Sequence, residues 1–188
     1  EIDGLRAIAV ISVIIYHAEL YILDHKILSG GFLGVDVFFV ISGYLISRLI
    51  FIEVMNKKCF SFLYFYERRI RRILPALLFV MMVSFPFAWL VLLPKNFVNY
   101  SESILYSLGF SSNFYFHYTG QQYASENSLL LPFLHTWSLS VEEQFYIAYP
   151  IFILIIYRFL SKYLFVLLLI GFVASLLFAH WASQSHPS

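Results

Sequence analysis

Long apolar runs separated by short polar segments dominate this chain. Five of the runs are long enough to cross the roughly 30 Å hydrocarbon core of a bilayer, which takes about 20 helical residues. These runs are Leu5–Leu23, Phe32–Ile52, Ile73–Leu93, Trp137–Tyr157 and Tyr163–Trp181. The pattern therefore predicts an all-α integral membrane protein, a helical bundle of about five transmembrane helices.

A sixth apolar stretch, Phe97–Phe116, is interrupted by Asn, Glu and Ser side chains. Its interpretation depends on the basic residues, because cytoplasmic loops of membrane proteins are enriched in Lys and Arg. That rule places the basic connection after the second run in the cytoplasm, together with the short connection that holds Arg158 and Lys162. Both placements agree only if Phe97–Phe116 does not cross, so we interpret it as a re-entrant or interfacial segment. The amino terminus is then cytoplasmic.

The composition indicates the same class of protein. The 188 residues are 61% hydrophobic and only 12% charged, which is too little charge to cover a soluble domain of this length. A net charge of +1 gives no electrostatic basis for nucleic-acid binding. Cys59 is the only cysteine, and no cluster has metal-ligand spacing, so we expect neither an internal disulfide nor a metal site. The first run lacks the flanking features of a signal peptide, so we expect a retained helix.

Two ionisable side chains share one face of the first predicted helix. Arg6 and His17 are eleven residues apart, which returns the chain to nearly the same face about 16 Å further along the axis. Ionisable groups inside a membrane helix are costly, so they are expected to face the bundle interior at a functional site. The pair predicts a charged path from the cytoplasmic boundary to an imidazole deep in the membrane.

Acidic residues are predicted at the same depth as His17. Asp36 lies near the outer end of the second helix, and Glu142 and Glu143 lie at a similar depth in the fourth run. A carboxylate beside an imidazole fixes its tautomer and supports its charge, as a general base requires. Adjacent residues point about 100° apart, so at most one of the two glutamates is expected to face the site. A structural polar network between helices is the alternative interpretation.

A cluster of arginines leads into the third helix. Guanidinium groups spaced three or four residues apart share a helix face and match phosphate oxygens. Juxtamembrane arginines also serve topology and bind anionic lipid headgroups, so both readings stay open from these residues alone. The cluster consists of Arg68, Arg69, Arg71 and Arg72.

Four blocks of this sequence, in order, resemble the membrane-bound acyltransferase-3 family. The family's Arg-x10-His motif maps onto Arg6 and His17, and its third-helix arginine motif maps onto the cluster from Arg68 to Arg72. The resemblance implies a family core of about ten helices. Residues 1–188 then correspond to a single membrane acyltransferase domain, the amino-terminal half of a longer core. The four blocks are Asp3–His17, Gly31–Ser47, Arg68–Pro75 and Thr136–Tyr146.

The resemblance implies a bacterial O-acyltransferase in the inner (plasma) membrane. Such an enzyme transfers an acyl group, commonly acetyl, from cytoplasmic acyl-CoA to a hydroxyl of a cell-surface carbohydrate, such as lipopolysaccharide O-antigen or another polysaccharide. The phosphates of acetyl-CoA would bind at the arginine cluster, with Arg6 assisting. His17 would act as general base on the acceptor hydroxyl or as a transient nucleophile. Beyond the bilayer, the expected partners are acyl-CoA, the carbohydrate acceptor and the remaining helices of the same protein.

Two other classes of protein fit the same buried charges. A transporter or flippase for a glycan or small polar substrate would line a path with them. A structural subunit would use them only to hold helices together. No paired inverted repeat of the kind found in transporters is evident in the sequence. Acetyl-CoA binding that is lost on substitution of Arg68 or Arg72 would distinguish the enzyme from both.

Overall fold

The computed structural model describes residues 2–22, 25–57, 59–119 and 131–185. Most of these residues are α-helical. The chain divides into two compact units, residues 1–146 and 147–188, and each is described by itself. The helices are α1 (Ile2–His17), α2 (Gly34–Lys57), α3 (Phe62–Val91), α4 (Pro94–Leu108), α5 (Ser112–Tyr118), α6 (Thr136–Leu160) and α7 (Leu164–Ser185).

Helix α1 is shorter than the hydropathy pattern predicts. It ends at His17 and not at Leu23, because Glu19 takes a left-handed φ of 48° that a helix cannot continue through. The chain then forms two short antiparallel strands, β1 (Tyr21–Ile22) and β2 (His25–Lys26). The expectation that His17 lies well inside a longer helix is therefore wrong, since it is the last helical residue.

Three segments are long and apolar enough to cross a membrane, Gly31–Asn56, Phe62–Val91 and Thr136–Gln184. The last of them contains both α6 and α7, which a 3-10 turn at Ser161–Tyr163 separates. The 16 residues of α1 extend only about 24 Å, short of the roughly 30 Å core. The described part of the chain thus shows three candidate segments where the sequence pattern predicts five helices.

Helix α3 begins much earlier than the predicted run. Ser61 caps its first turn by accepting a hydrogen bond from the Tyr64 backbone N–H, at 3.4 Å. The helix then continues through two internal prolines to Val91. The arginine cluster therefore lies on helix α3 and not in the connection before it.

The segment Phe97–Phe116 forms a broken pair of helices. Helix α4 has 15 residues, about 22 Å of length, and α5 has seven. Phe110, at a φ of 49°, lies in the turn between them. Neither helix meets the length and hydropathy of a membrane span. This agrees with the expectation that the segment does not cross.

Hydroxyl groups join α4 and α5 to the start of α6. Thr136 Oγ1 lies 2.7 Å from Ser107 Oγ and 3.0 Å from Ser112 Oγ. Ser112 Oγ lies 2.8 Å from Ser140 Oγ, and both residues are buried. A buried network whose members are paired holds the segments in one arrangement. It fixes the amino-terminal end of α6, which carries the residues of the candidate site.

Two glycines allow α1 and α2 to pack closely. A Cβ added at Gly34 would lie 2.4 Å from the Ala9 carbonyl oxygen, and one added at Gly31 would lie 2.4 Å from that of Ser12. Side chains at these positions would force the helices apart, so only glycine permits the observed approach. The crossing holds the end of α1 against the beginning of α2.

Large apolar side chains remain exposed on the outer surface of both units. Leu90 of α3 is 79% exposed and Phe165 of α7 is 77% exposed. Apolar surface of this extent is typical of a chain that packs against lipid or further helices.

Candidate functional site

A cavity of about 860 Å³ lies where the end of α1 meets the beginnings of α2 and α6. It is defined here as the outer cavity. Its wall combines aromatic and aliphatic side chains with a small number of polar groups, as in many ligand sites. The side chains with reactive or polar groups are His17, Asp36, His135 and Ser138, and the aromatic ones include Phe32 and Trp137.

A backbone contact sets the tautomer of His17. Its Nδ1 lies 2.8 Å from the Val13 carbonyl oxygen. Because a carbonyl oxygen only accepts, Nδ1 carries the hydrogen and donates it. The lone pair of the neutral ring is then on Nε2. In this tautomer, Nε2 is the ring nitrogen that can take a proton or attack an electrophile.

His135 packs directly against His17. Their ring centroids are 4.9 Å apart with an interplanar angle of 85°. Burial, and secondarily the neighbouring His17, lowers the pKa of His135. Its surroundings therefore favour the neutral form of His135. The ring of His135 forms part of the wall of the outer cavity.

Asp36 lies in the first turn of α2 and lines the same cavity. A carboxylate there also interacts favourably with the positive end of the helix dipole, which is a structural reason for its position. Its side chain is exposed. The structure thus brings Asp36 and His17 to one cavity, as the sequence predicted.

Glu142 belongs to a deeper site than His17. It lies seven residues after His135 along α6, about 10 Å further along the axis. Because His17 ends α1 and Asp36 is in the first turn of α2, the expectation that Glu142 shares their level is wrong. Ser42 Oγ donates to Glu142 Oε1 at 2.6 Å, and the Tyr146 hydroxyl donates to the same oxygen.

Glu142 lines a second, largely apolar cavity of about 330 Å³, defined here as the inner cavity. Other parts of its wall come from α1, from Phe38 and Phe39 of α2 and from Leu139 of α6. It shares four wall residues with the outer cavity, so the two are adjacent. The shared residues are Val13, Ile14, Val35 and Ser138.

Glu143 points elsewhere, as expected for the neighbour of Glu142 on a helix. It is buried, with 8% of its surface exposed. Its Oε1 has no hydrogen-bond partner among the described residues. A buried carboxylate oxygen without a hydrogen-bond partner costs folding free energy.

A third cavity, of about 530 Å³, lies between α2 and α3 and is defined here as the arginine cavity. Three arginines from two helices line it. Guanidinium forks bind phosphate oxygens in a bidentate manner, so this wall suits a ligand with more than one phosphate. Its polar and charged side chains are Arg48, Glu53, Asn56, Tyr64, Arg68 and Arg69.

Arg69 connects the arginine cavity to Glu142. Its guanidinium lies 4.2 Å from the centroid of the Tyr146 ring, a cation–π contact. The hydroxyl of the same tyrosine donates to Glu142. Tyr146 thus contacts Arg69, a wall residue of the arginine cavity, through its ring, and Glu142, a wall residue of the inner cavity, through its hydroxyl.

The remaining predicted arginines lie elsewhere. Arg71 pairs with Glu67 at 2.7 Å on an exposed helix face, and Arg72 is exposed. Arg6 lies 3.7 Å from Asp3 and 5.4 Å from the centroid of the Phe38 ring. Within the described part of the chain, none of the three lines the arginine cavity.

Comparison with known proteins identifies the family. A family model described as "Acyltransferase domain" (Acyl_transf_3) matches residues 1–188. The chain belongs to the acyltransferase-3 family. The membrane-type helices and this family together make it a membrane protein.

Named relatives of this acyltransferase-3 domain are O-acetyltransferases. The chain is 40% identical over 152 residues to the O-acetyltransferase OatA of Staphylococcus aureus strain NCTC 8325. It is equally similar to the protein of that name in strain MRSA252. The match covers 81% of this chain and 24% of each relative, so the chain spans about a quarter of their length. No solved structure matches it.

Sequence reasoning missed four residues that line the cavities or contact their wall residues: Arg48, Ser42, Tyr146 and His135. Arg48 is a charge inside the apolar run Phe32–Ile52, and the argument that singled out His17 applies to it equally. Ser42 and Tyr146 offer no such signal, because hydroxyls are common in membrane helices and only the packing of α2 on α6 shows their shared target.

Proposed function

We propose that this acyltransferase-3 domain binds an acyl-CoA donor and carries the catalytic base of a membrane O-acyltransferase. The observation that supports it most is the placement of two different sites along one helix, α2. Asp36 lines the outer cavity and Arg48 lines the arginine cavity. Twelve residues separate them, about 18 Å along the axis. An extended pantetheine arm is suited to that span.

The arginine cavity fits the donor's phosphates. Arg48, Arg68 and Arg69 present guanidinium groups from both of its walls. Acyl-CoA carries three phosphoryl groups at the end remote from the thioester, and several forks bind such a group better than one. Arg71 and Arg72, which the sequence also suggested as phosphate ligands, lie on the exposed face of α3 and do not bind the donor in this proposal. Arg6 serves the packing of α1 on α2.

In the outer cavity, His17 supplies the base. Nε2 takes the proton of the acceptor hydroxyl while that oxygen attacks the thioester carbonyl carbon, and the carbon–sulfur bond breaks. The proton then passes from Nε2 to the departing thiolate. Asp36 supports the positive charge that His17 carries between the two transfers, and neutral His135 adds no competing charge. The alternative, attack by Nε2 to form an acyl-imidazole, uses the same atom.

The acceptor in this proposal is a carbohydrate hydroxyl at the cell surface. The outer cavity is large and combines the Trp137 and Phe32 rings with polar groups, a wall suited to a sugar ring. The name O-acetyltransferase, carried by the relatives, favours acetyl as the transferred group. The other helices of the full-length protein complete the acceptor side, since this chain spans about a quarter of the relatives.

The proposal places the domain in the bacterial inner membrane with its amino terminus in the cytoplasm. The basic residues that support this orientation lie on α3, in the arginine cluster, and at the α6–α7 turn. Helices α2, α3, α6 and α7 then cross the bilayer. Helix α1, too short to span it fully, ends with His17 below the outer surface.

Acetyl-CoA binding tests the proposal directly. The full-length protein in detergent should bind acetyl-CoA, and Arg69→Ala or Arg48→Ala should weaken that binding at least tenfold. Arg71→Ala is the matched control, because it removes the same charge from an exposed face of α3, where Arg71 pairs with Glu67 and does not line the arginine cavity. Equal losses in all three variants, or no binding by the wild type, would contradict the proposed donor site.

A further inference from the structure

Along α2, the wall residues of the inner cavity end at Phe39 and those of the arginine cavity begin at Leu45, yet the function proposed above gives no role to the carboxylate in the wall of the inner cavity. It is a small space, about 330 Å³, with a mostly aliphatic and aromatic wall. A carboxylate facing such a wall needs a partner, because an ion in apolar surroundings is costly. Glu142 is the only acidic residue in that wall among the described residues.

Two donors fix one oxygen of this carboxylate. Ser42 Oγ and the Tyr146 hydroxyl both donate to Glu142 Oε1. Within the described ranges, the hydrogen bonds to Glu142 go to Oε1 and none goes to Oε2. The buried oxygen without a hydrogen-bond partner belongs to the neighbouring residue, Glu143. Because Oε1 is fixed by two donors and Glu142 lines the inner cavity, Oε2 is the oxygen that can accept from a donor in the cavity.

The occupant must fit between the two neighbouring sites. At one end, Tyr146 lies under the Arg69 guanidinium, which lines the arginine cavity. At the other end, the inner cavity shares Val13, Ile14, Val35 and Ser138 with the outer cavity. A ligand that joins phosphates to a thioester through this space is thin, largely aliphatic and carries amide N–H groups. The pantetheine arm of acyl-CoA has this chemistry.

We propose that the inner cavity holds the pantetheine arm and that Glu142 Oε2 accepts a hydrogen bond from one of its amide N–H groups. This rests on the acyl-CoA function proposed above and changes the role of Glu142. The residue binds and positions the donor, and it takes no part in proton transfer at His17. Ser42 and Tyr146 are positioning residues, because their hydrogen bonds to Oε1 fix the orientation of the Glu142 carboxylate.

Glu142→Gln separates this role from a structural one. Glutamine keeps the size of the side chain, and its carbonyl oxygen can still accept from Ser42 and Tyr146. Its amide nitrogen then takes the place of Oε2, so a donor faces the ligand's N–H where an acceptor stood. A structural role would tolerate this exchange, whereas the proposed role would not.

The measurement is acetyl-CoA affinity of the full-length protein in detergent, with turnover recorded in parallel. Loss of a hydrogen bond to a charged acceptor predicts affinity about 10- to 100-fold weaker for Glu142→Gln, with a raised KM and a thermal midpoint close to that of the wild type. Two acetyl-CoA analogues, each with one pantetheine amide N–H replaced by an ester oxygen, identify the contact. One analogue should bind the wild type more weakly than acetyl-CoA does, whereas Glu142→Gln should bind that analogue at least as tightly as acetyl-CoA.

The outcomes separate this inference from the function on which it rests. Unchanged affinity in Glu142→Gln with a reduced kcat would overturn the inference and make Glu142 a catalytic group, while the acyltransferase function would stand. Equal sensitivity of wild type and variant to both analogues would also overturn it. Failure of the wild type to bind acetyl-CoA at all would overturn the proposed function as well.

Discussion

The crossing of α1 and α2 at Gly34 predicts a specific defect in the outer cavity. In Gly34→Ala, the new Cβ would stand 2.4 Å from the Ala9 carbonyl oxygen and 2.8 Å from Val13 Cγ2. The nearer atom is backbone and cannot rotate away. Ordinary contacts of this kind begin at 3.4 Å, so α1 must retreat by about 1 Å to accommodate the methyl group.

The displacement has a thermodynamic and a catalytic cost. Forcing a methyl group into a close-packed contact costs about 1–3 kcal/mol of folding free energy. His17 lies two turns along α1 from Ala9, and Asp36 lies two residues from Gly34, so the same shift separates the two polar groups of the outer cavity. A misplacement of about 1 Å in a catalytic arrangement can cost about 100-fold in rate.

Gly43→Ala is the matched control on the same helix. Its added Cβ would meet only Phe145 Cζ, at 4.0 Å, so the usual helix preference for alanine should stabilise it by up to about 1 kcal/mol. Thermal unfolding in detergent and acetyl-transfer rates of the full-length variants test the pair. If Gly34→Ala were as stable and as active as Gly43→Ala, the close crossing and its role in placing His17 would be refuted.

Two further predictions concern His135 and Cys59. The pKa of His135 is lowered in the folded state, whereas in the unfolded chain it is about 6.5. Below about pH 6.5, the unfolded chain therefore binds more protons at this residue than the folded chain does. The free energy of unfolding should therefore fall as the pH drops below that value and level off below the folded pKa. His135→Asn should flatten this dependence, and an unchanged slope would refute the assignment. Cys59 is exposed between α2 and α3, so in the full-length protein, with any cysteine outside residues 1–188 replaced by serine, it should react with a membrane-impermeant maleimide in inside-out vesicles and not in intact cells. Lys95→Cys in a Cys59→Ser background should show the reverse, and labelling of Cys59 from outside would contradict the proposed orientation.

Hydropathy alone located the central parts of α2, α3 and α6, because about 20 apolar residues in a row have few alternatives to a membrane helix. It failed at the end of α1, where Leu20 and Ile22 continue the apolar pattern but Glu19 adopts a left-handed backbone. Hydropathy averaged over about 20 residues carries no information about the backbone dihedral angle of one residue. That single angle moves His17 from inside a helix to its end.

The candidate site was predictable where residue type alone carries the chemistry. His17 and Asp36 stand out as ionisable groups beside apolar runs, and both line the outer cavity. Which arginines line the cavity was not predictable. Helical spacing places Arg68 and Arg71 on one face, and only the packing of α2 against α3 shows that Arg68 lines the arginine cavity and Arg71 does not. The partners of Glu142 come from Ser42, a hundred residues away, and from Tyr146. Such a pairing depends on tertiary packing.

The central claim is that His17 catalyses acyl transfer from a donor whose phosphates bind in the arginine cavity. The most direct measurement is acetyl transfer from radiolabelled acetyl-CoA by the full-length protein, compared between the wild type and His17→Ala. Since the arginine cavity lies far from His17, the variant should bind acetyl-CoA with the affinity of the wild type. Its transfer rate should fall by about 10²- to 10⁴-fold, as for loss of a general base. Transfer by His17→Ala at the rate of the wild type would contradict the account.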